Sequence, residues 1–267
     1  AAPGPFLLPL RRESVPVVRG GRVVSHKSAY YGAISLGADG AASPQEFSVV
    51  FDTGSGHVVV PSVDCASEAC LVHRRYNISA SGGAQAINSD GEPVPRDELG
   101  DQVTIGFGTG TVKGEFAQET VCAGPRGSAG GSADLPCTTL RVVVAVEMSE
   151  QPFKSFAFDG IFGLGLGSLA LSPEFSFFGE LASARASILP RFGIYLAGGE
   201  SGRGSEIAMG GYNQARVHGP LSWAPVVRPQ LGYWQVQVLA IFIGDVEIAA
   251  CKSGSCRAIV DTGTSHL

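Results

Sequence analysis

A short pattern occurs twice in this sequence, and few folds can accommodate it. An aspartate follows three apolar residues and precedes Thr-Gly and a hydroxyl residue in VVFDTGS, residues 49–55, and in AIVDTGT, residues 258–264. Burying a carboxylate beside such an apolar run costs free energy unless the group is compensated. One copy has an ordinary explanation as a turn in which Asp binds its own backbone. Two copies favour matching loops from two similar lobes, with Asp52 and Asp261 face to face across a pseudo-twofold axis.

Two carboxyl groups at hydrogen-bonding distance have a chemistry that a single one lacks. They cannot both ionise easily, so they share a proton and their pKa values separate. The ionised carboxylate can take a proton from water while the protonated carboxyl donates to a peptide carbonyl oxygen. The pattern therefore predicts hydrolysis by general acid and base catalysis without a covalent intermediate. No metal and no organic cofactor is implied.

Composition and charge narrow the class of protein. Apolar residues make up 44% of the 267 residues and charged residues 16%, which is typical of a folded globular protein. The net charge of −5 argues against a nucleic-acid partner. No stretch approaches the roughly 20 apolar residues of a membrane helix, so we expect no membrane span in this chain.

Six cysteines occur in three closely spaced pairs. They are Cys65, Cys70, Cys122, Cys137, Cys251 and Cys256. Six cysteines allow 15 pairings, of which three short loops between neighbours are the simplest, and the even number favours an oxidising compartment. Reduced, buried thiols in a cytosolic protein are the alternative. A zinc site at Cys65, Cys70 and His73 would lack a fourth ligand and the usual spacing, so no metal site is predicted.

Strand-like runs dominate the sequence. They are rich in Val, Ile and aromatic residues, they are separated by Gly, Pro, Asn or Ser, and their spacing suits antiparallel sheets. The runs are EFSVVF, HVVV, DQVTIGF, LRVVVAV, RFGIYLA, SEIAMGG and YWQVQVLAIFIG. Residues 174–187 have apolar residues at near-helical spacing and predict one short helix. The Gly-, Ser- and Ala-rich stretch from Cys122 to Cys137 predicts a solvated loop. The fold class expected from these patterns is all-β.

The order of these landmarks resembles that of the pepsin-type aspartic proteases. The resemblance covers residues 29–267 and begins with YYGAISLG, which is similar to the first strand of the family. FDTGSGHVVVPSVDCASEACLVHRRYN resembles the first catalytic loop and a small disulfide loop, and VTIGFGTGTVKG resembles the flap hairpin that closes over substrate. FDGIFGLG is similar to the hydrophobic-hydrophobic-Gly element that completes the first loop. LGYWQVQVLAIFIGD and CKSGSCRAIVDTGTS are similar to the approach to the second loop.

The resemblance implies an architecture and a set of site residues. The fold would be bilobal, with double-ψ β-barrel-type lobes, residues 29–196 forming the N-terminal catalytic lobe and residues 197–267 an incomplete C-terminal lobe. Asp52 and Asp261 would be the catalytic pair. Substrate would contact Phe107, Gly108, Thr109 and Ile161. The three residues after each aspartate would support the catalytic loops. Thr53 and Thr262 would brace the two loops against each other, and Gly54 and Gly263 would allow the backbones to approach closely. Ser55 and Thr264 would hydrogen-bond the carboxylates.

The implied activity is that of an aspartic endopeptidase working at acidic pH. Its partners would be peptide or protein substrates, bound in an extended conformation, and statine-type peptide inhibitors. The complete protein would be a monomer. Together with the cysteines, the resemblance places it in the secretory pathway, outside the cell or in an acidic compartment similar to a vacuole or lysosome.

Two departures from the family pattern occur at the flap. Phe107 occupies the position where the family usually has Tyr, and Val59 replaces the Trp that commonly bonds that Tyr. Because both partners are replaced together, no buried donor is left unpaired. We therefore expect the flap to pack by apolar contact.

The second catalytic loop is expected to be less well held than the first. In the family a later strand crosses beneath each loop, and Ile161, Phe162 and Gly163 would supply it for Asp52. Only six residues follow Asp261, too few for a return crossing at about 3.3 Å per residue. We therefore expect the second loop to be disordered or exposed and its carboxylate not to be held in place. The 267-residue chain alone is expected to be inactive, poorly soluble and prone to bind apolar dyes.

Residues 1–28 form a basic N-terminal extension. They contain four arginines, one lysine and one histidine but a single acid, Glu13. FLLPLRRESV is similar to the start of prosegments in the family, whose basic side chains mask the catalytic carboxylates. The alternative is an ordinary strand with a solvated basic face.

Other classes of protein are less well supported. GFGTGTVKG is superficially similar to a nucleotide-binding glycine loop, but Thr111 stands at the third glycine position and no kinase motif follows. Neither GxSxG nor HExxH occurs in the sequence, which argues against a serine hydrolase and a zinc protease. A non-catalytic peptide- or protein-binding member of the pepsin fold is the remaining alternative, since a fold does not fix a function. The intact carboxylates and hydroxyl neighbours on both loops argue against it.

Overall fold

The computed structural model of the protein describes residues 4–37, 44–95, 97–108, 110–125, 135–184, 188–198, 204–251, 254 and 256–265. Strands dominate these residues and the α-helices among them are short, so the predicted all-β class is confirmed. The strands are β1 (Phe6–Pro9), β2 (Arg11–Arg19), β3 (Arg22–Leu36), β4 (Gln45–Asp52), β5 (Val58–Pro61), β6 (Gln85–Ile87), β7 (Val103–Phe107), β8 (Gly110–Cys122), β9 (Cys137–Met148), β10 (Gly160–Gly163), β11 (Phe192–Tyr195), β12 (Glu206–Met209), β13 (Gln235–Gln237), β14 (Phe242–Ile243), β15 (Val246–Glu247) and β16 (Arg257–Ile259). The α-helices are α1 (Glu68–Leu71) and α2 (Phe177–Ala184). Short 3-10 helices lie at Ile78–Ala80, Phe153–Ser155, Gly167–Leu169, Pro173–Phe175, Gln214–Arg216, Pro229–Leu231 and Ala249–Cys251.

The largest sheet in the described part of the chain has the order β2-β3-β4-β10-β5-β9-β8-β6, with β7 also paired to β8. β10 lies between β4 and β5, parallel to the first and antiparallel to the second. β5 in turn runs parallel to β9. Strands with parallel neighbours are usually covered on both faces, which explains why these sequences are continuous apolar runs.

Successive side chains of these strands enter two different cores. On β4, Val49 and Phe51 pack in one core with Phe162, whereas Val50 packs in the other core with Ile161. The same alternation occurs on β5 and β9. Packing on both faces therefore fixes the end of β4, and the first Asp-Thr-Gly loop starts from a rigid position.

β7 and β8 form the hairpin that was predicted to be a flap. Phe107 at the end of β7 pairs with Gly110 at the start of β8, and Gly108 between them has a φ of 58°. A positive φ is typical of tight hairpin turns. Thr109, which was predicted in this turn, lies outside the described residues.

Three disulfides join neighbouring cysteines, as in the simplest of the possible pairings. They are Cys65–Cys70, Cys122–Cys137 and Cys251–Cys256. The first joins Cys65 to Cys70 within α1, a single turn that the sequence pattern did not predict because four residues are too few to show a helical period. Since Cys65 and Cys70 are bonded to each other, neither is a thiolate that could ligate zinc with His73. Most of the predicted loop between Cys122 and Cys137 lies outside the described residues.

Residues of the N-terminal extension take part in two sheets. β1 forms a three-stranded sheet with β12 and β11, so one strand from each of the predicted segments 1–28, 29–196 and 197–267 meets there. β2 and β3 form a long antiparallel hairpin that turns at Gly20 and Gly21, both with positive φ. The division into two lobes stays a prediction, and the two interpretations of residues 1–28, a segment similar to a prosegment or an ordinary strand, stay open.

The run YWQVQVLAIFIG is not one strand, as its composition suggested, but parts of two. β13 pairs with β16, whereas β14 pairs with β15 across a turn at Gly244, so the two halves of the run have different partners. Several of its side chains lie on the surface, with Leu239 76% and Ile243 71% exposed. The helix predicted at residues 174–187 is confirmed as α2, although residues 185–187 lie outside the described part.

Candidate active site

Asp52 is the last residue of β4 and is held by the neighbouring strand. β10 pairs with β4 so that Gly163 lies opposite Asp52, and the Leu164 N–H donates to the Asp52 carbonyl over 2.8 Å. The Gly163 N–H donates to the carbonyl of His57, farther along the same loop, over 2.9 Å. The element at Ile161–Gly163 therefore supports both arms of the first loop. Only 8% of Asp52 remains exposed.

Thr53 and Thr262 connect the two Asp-Thr-Gly loops by reciprocal hydrogen bonds. Thr262 Oγ1 donates to the Phe51 carbonyl over 2.6 Å and accepts from the Thr53 N–H over 3.1 Å. Thr53 Oγ1 donates to the Val260 carbonyl over 2.7 Å and accepts from the Thr262 N–H over 3.0 Å. Each hydroxyl thus satisfies two backbone groups of the opposite loop. The arrangement brings together loops whose aspartates are far apart in sequence.

The expectation that the carboxylate of the second loop is not held is therefore wrong, whereas the loop is exposed at Gly263, Thr264 and Ser265, which is one of the two outcomes expected for it. Besides the threonine contacts, the Val260 N–H donates to the Trp234 carbonyl over 3.0 Å, and Ser265 Oγ donates to the Ser28 carbonyl over 2.6 Å. The expected support was a crossing strand from the same lobe, whereas the loop is held by the opposite loop, by Trp234 and by Ser28 of β3. The expected exposure of the apolar neighbours is confirmed, since Ile259 and Val260 are 43% and 56% exposed.

The two carboxyl groups face each other in unequal surroundings. Asp52 Oδ1 accepts from the Gly54 N–H over 2.9 Å. Asp261 is more exposed, and its carboxylate accepts from the Gly263 N–H over 2.8 Å and from Thr264 Oγ1 over 2.5 Å. Burial is the main cause that raises the pKa of Asp52 from 3.8 to about 6; the adjacent Asp261 carboxyl also raises it, and hydrogen-bond donors oppose the rise. Such a pair can hold one proton at mildly acidic pH.

The loops approach closely because both contain glycine. A Cβ on Gly54 would lie 2.7 Å from Cγ of Asp261, and a Cβ on Gly263 would meet the Asp52 carboxylate at a still shorter distance. Ser55 differs from its counterpart in the second loop. Its buried Oγ has no hydrogen bond of ordinary geometry within the described part of the chain, although this hydroxyl lowers the pKa of Asp52.

Both carboxyl groups lie in a cleft with a volume of about 500 Å³. The flap contributes Ile105 to Gly108 to its lining, and an apolar wall lies elsewhere in the cleft. That wall consists of Val50, Phe153, Phe156, Phe158, Ile161 and Leu169. Three of the residues predicted to contact substrate therefore line the cleft, namely Phe107, Gly108 and Ile161.

The flap packs by apolar contact, as expected from its two departures from the family pattern. Phe107 meets Phe153 edge to face, with ring centroids 6.0 Å apart and an interplanar angle of 85°. Val59 is buried in β5 opposite Ile161 and is 1% exposed. His73 Nε2 lies 3.0 Å from the Phe153 carbonyl, which fixes the residue against which the flap packs.

Several residues of the cleft were not predicted from the sequence. His57 Nε2 accepts a hydrogen bond from the Leu171 N–H over 3.0 Å, and the His57 ring packs on Phe175. Burial lowers the pKa of His57 from 6.5 to about 4. Lys27 lines the cleft from β3. The sequence carried a signal for His57, which stands next to the apolar run VVV. It also carried a signal for the apolar wall of the cleft, in the closely spaced phenylalanines of PFKSFAF. Nothing in the pattern around Lys27 distinguished it from the other basic residues of the extension.

The ionisable groups that line the cleft can transfer protons. Within the described residues, no group of three or more His, Cys, Asp or Glu side chains is placed to hold a metal ion. None of the helices in that part of the chain has the length and apolar character needed to cross a membrane. The chemical groups that the cleft presents are the two carboxyl groups, with an apolar wall and a flap around them.

Comparison with known proteins agrees with this geometry. A family model described as eukaryotic aspartyl protease matches residues 29–267. Cathepsin E of Cavia porcellus is 35% identical over 243 residues, which are 89% of this chain and 54% of the relative. Embryonic pepsinogen of Gallus gallus is 35% identical over 236 residues, covering 88% and 54%, and pepsin A of Rhinolophus ferrumequinum is 35% identical over 239 residues, covering 89% and 54%. The chain spans about half the length of the curated relatives it matches.

Proposed function

The chain belongs to the eukaryotic aspartyl protease family, and on this premise we propose that the protein is an aspartic endopeptidase with Asp52 and Asp261 as its catalytic pair. The observation that carries the proposal is the reciprocal bonding of Thr53 and Thr262, because it supports two facing carboxyl groups in one cleft. Hydrolysis then needs only a water molecule and an extended peptide between the carboxyl groups and the flap.

The surroundings of the two carboxyl groups support a division of roles. Burial disfavours the ionised form of Asp52, so Asp52 carries the shared proton and donates it to the carbonyl oxygen of the substrate. The Gly263 N–H and the Thr264 hydroxyl stabilise the charge of Asp261. Asp261 therefore accepts a proton from the attacking water, whose oxygen adds to the carbonyl carbon and gives a tetrahedral diol.

Collapse of the diol reverses the proton transfers. Asp261 gives its proton to the amide nitrogen as the C–N bond breaks, and the amine leaves. Asp52 takes a proton from one hydroxyl of the diol, which becomes the carbonyl of the carboxylic acid product. The pair ends with one proton, as it began, and no bond forms between enzyme and substrate.

The cleft and the disulfides support a substrate class and a compartment. An extended peptide can lie beside the strands of the flap, with large apolar side chains against the phenylalanine wall. The three disulfides support folding in an oxidising compartment, which agrees with a protease of the secretory pathway or of an acidic organelle. Statine-type peptides should inhibit by placing a hydroxyl between the two carboxyl groups.

Replacement of either aspartate tests the proposal. In the complete protein, Asp52→Asn and Asp261→Asn should each lower kcat for a peptide substrate by at least about a thousandfold, because each removes a proton-transfer group. Wild-type activity should fall as the pH rises through about 6, since Asp52 then loses the shared proton. The measurements are peptide cleavage from pH 3 to 7 and binding of a statine peptide.

A matched control separates the dyad from a general effect of charge. Asp245→Asn changes an exposed aspartate outside the cleft and should leave cleavage unchanged. Near wild-type turnover by either dyad variant would exclude this mechanism. Peptide binding without any cleavage by the folded wild-type protein would favour the non-catalytic binding alternative instead.

A further inference from the structure

Lys27 places a positive charge at the edge of a cleft that is otherwise acidic and apolar. It lies on β3 two residues before Ala29, so the two side chains are on the same face of the strand, and both residues line the cleft. Among the described lining residues Lys27 is the one with a permanent positive charge, because His57 is neutral when buried. Lys27 makes no ion pair or hydrogen bond through its side chain within the described part of the chain.

The hairpin that carries Lys27 is basic along its length. From Ser14 to Ser28 it contains Arg19, Arg22, His26 and Lys27 and no acid. The preceding acid, Glu13, is engaged with the Ala157 N–H over 2.8 Å. The distal part of the hairpin is therefore basic in a protein whose net charge is −5, and Lys27 is the basic residue of this hairpin that lines the cleft.

The Lys27 side chain is partly exposed and has no ion partner within the described residues, so it is free to pair with an acidic group of a bound substrate. The catalytic carboxyl groups are not that partner, because Asp52 is influenced by Asp261 and by hydrogen-bond donors of its own loop. The apolar wall offers Lys27 no acceptor. The group that can reach it is a side chain of the substrate, whose extended backbone carries residues along the cleft at about 3.3 Å per position.

We propose that Lys27 is a specificity-determining residue that selects peptides with a glutamate or aspartate close to the scissile bond, on the flank of the cleft formed by β3. The proposal rests on the proposed peptidase function and adds a substrate class to it. The basic hairpin beyond Lys27 attracts the same acidic segment at longer range, which speeds its association.

The charge states of both partners are compatible at mildly acidic pH. A substrate glutamate has an ordinary pKa of about 4.3 and is mostly ionised at pH 5. The pKa of Asp52 is about 6, so the catalytic pair still holds its proton there. A pH near 5 is therefore suitable for the test.

A peptide series tests the proposal in the complete protein. Each peptide contains the same apolar pair at the cleavage position and one Glu, Gln or Lys, placed in turn at each of the four positions on either side. At one position the wild type should cleave the Glu peptide about three- to fivefold better than the Gln peptide in kcat/KM, as expected for one partly exposed ion pair. Lys27→Met should reduce this ratio to about one, and Lys27→Glu should invert the preference in favour of the Lys peptide.

Salt and a control variant distinguish pairing from a structural effect. The preference should shrink when the ionic strength is raised to about 0.5 M, because exposed charges are screened. Arg191→Met removes a cation from an exposed residue outside the cleft lining and should leave the Glu-to-Gln ratio unchanged. Each ratio is measured within one variant, so a variant with less folded enzyme is still informative.

Two negative results have different meanings. Cleavage of the peptides with the same Glu-to-Gln ratio in the wild type and in Lys27→Glu would overturn the role of Lys27 and leave the peptidase function intact. Failure of the folded wild type to cleave any peptide, including the Gln series, would overturn the proposed function and the role of Lys27 with it.

Discussion

Asp52 and His57 lie five residues apart on one loop, and burial shifts their pKa values in opposite directions. The pKa of Asp52 is raised from 3.8 to about 6, and that of His57 is lowered from 6.5 to about 4. Asp52 therefore contributes stability that is fully present below pH 3.8 and is lost as the pH rises to 6. His57 contributes stability that is present above pH 6.5 and is lost as the pH falls to 4. Between pH 4 and 6 the two contributions oppose each other.

Removal of the Asp52 carboxylate should make the free energy of unfolding rise with pH. In Asp52→Asn the opposing contribution of His57 remains, so the free energy of unfolding should rise by about 2–3 kcal/mol between pH 4 and 6.5. The wild type should change much less over the same range. Urea unfolding at several pH values measures both curves, and parallel curves would contradict the assignment.

Removal of the His57 imidazole should make the free energy of unfolding fall as the pH rises. Asn can still accept from the Leu171 N–H, which His57 Nε2 binds over 3.0 Å. We expect His57→Asn to lose about 2–3 kcal/mol of unfolding free energy as the pH rises from 4 to 6, because the Asp52 contribution is then unopposed. If His57→Asn and wild type respond alike to pH, the buried ring does not titrate as described.

At the scale of elements, the two Asp-Thr-Gly loops depend on each other through their threonines. Thr262→Val keeps the shape of the side chain but leaves the Phe51 carbonyl and the Thr53 N–H without their partner. We expect a loss of about 2–3 kcal/mol in unfolding free energy and a lower kcat, whereas Thr262→Ser should retain most of both. Equal behaviour of the Val and Ser variants would show that the hydroxyl is not needed.

The flap should not recover a hydrogen bond by a single substitution. Phe107→Tyr adds a hydroxyl beside an apolar wall, and buried Val59 offers no acceptor. We expect kcat/KM of Phe107→Tyr to be unchanged or up to about threefold lower. Phe107→Leu, which keeps an apolar contact with Phe153, is the matched control. A several-fold gain in Phe107→Tyr would show that the flap still requires a donor at this position.

At the scale of the whole molecule, apolar side chains of residues 239–260 lie on the surface. Leu239, Phe242, Ile243 and Val246 are 60% to 76% exposed. Ile243 and Val246 are cross-strand neighbours, and exposed apolar side chains that lie together bind apolar dyes better than singly exposed ones. We expect the 267-residue polypeptide to bind such a dye, and Phe242→Ser with Ile243→Ser to lower the fluorescence by about half.

A singly exposed residue provides the control for the dye experiment. Leu99 is 92% exposed and lies elsewhere in the chain, so Leu99→Ser should leave the fluorescence unchanged. An equal decrease in both variants would mean that the dye does not report on the patch.

The sequence predicted those parts of the molecule whose pattern is local. The apolar runs gave β4, β5 and β9, and the duplicated Asp-Thr-Gly gave the two loops that the threonines connect. The support of the Asp261 loop was not predictable in this way, because Thr53 and Ser28 are distant in sequence and neither belongs to an apolar pattern. His57 acquires its surroundings from Leu171 and Phe175, which are more than a hundred residues away in sequence, and no local pattern marks Lys27 as a residue of the cleft. The roles of the site residues in catalysis stay predictions.

The connection between Thr53 and Thr262 also determines when the site can form during synthesis of the chain. The two residues are 209 positions apart, and ribosomes add about 5–20 residues per second. About ten to forty seconds therefore separate the appearance of the first loop from that of the second. During this interval β4, β10 and the flap can already be folded, but the nascent chain has one carboxyl group and no partner to share a proton with it. On the mechanism proposed above, the nascent chain therefore cannot hydrolyse peptide bonds until the second loop has been made.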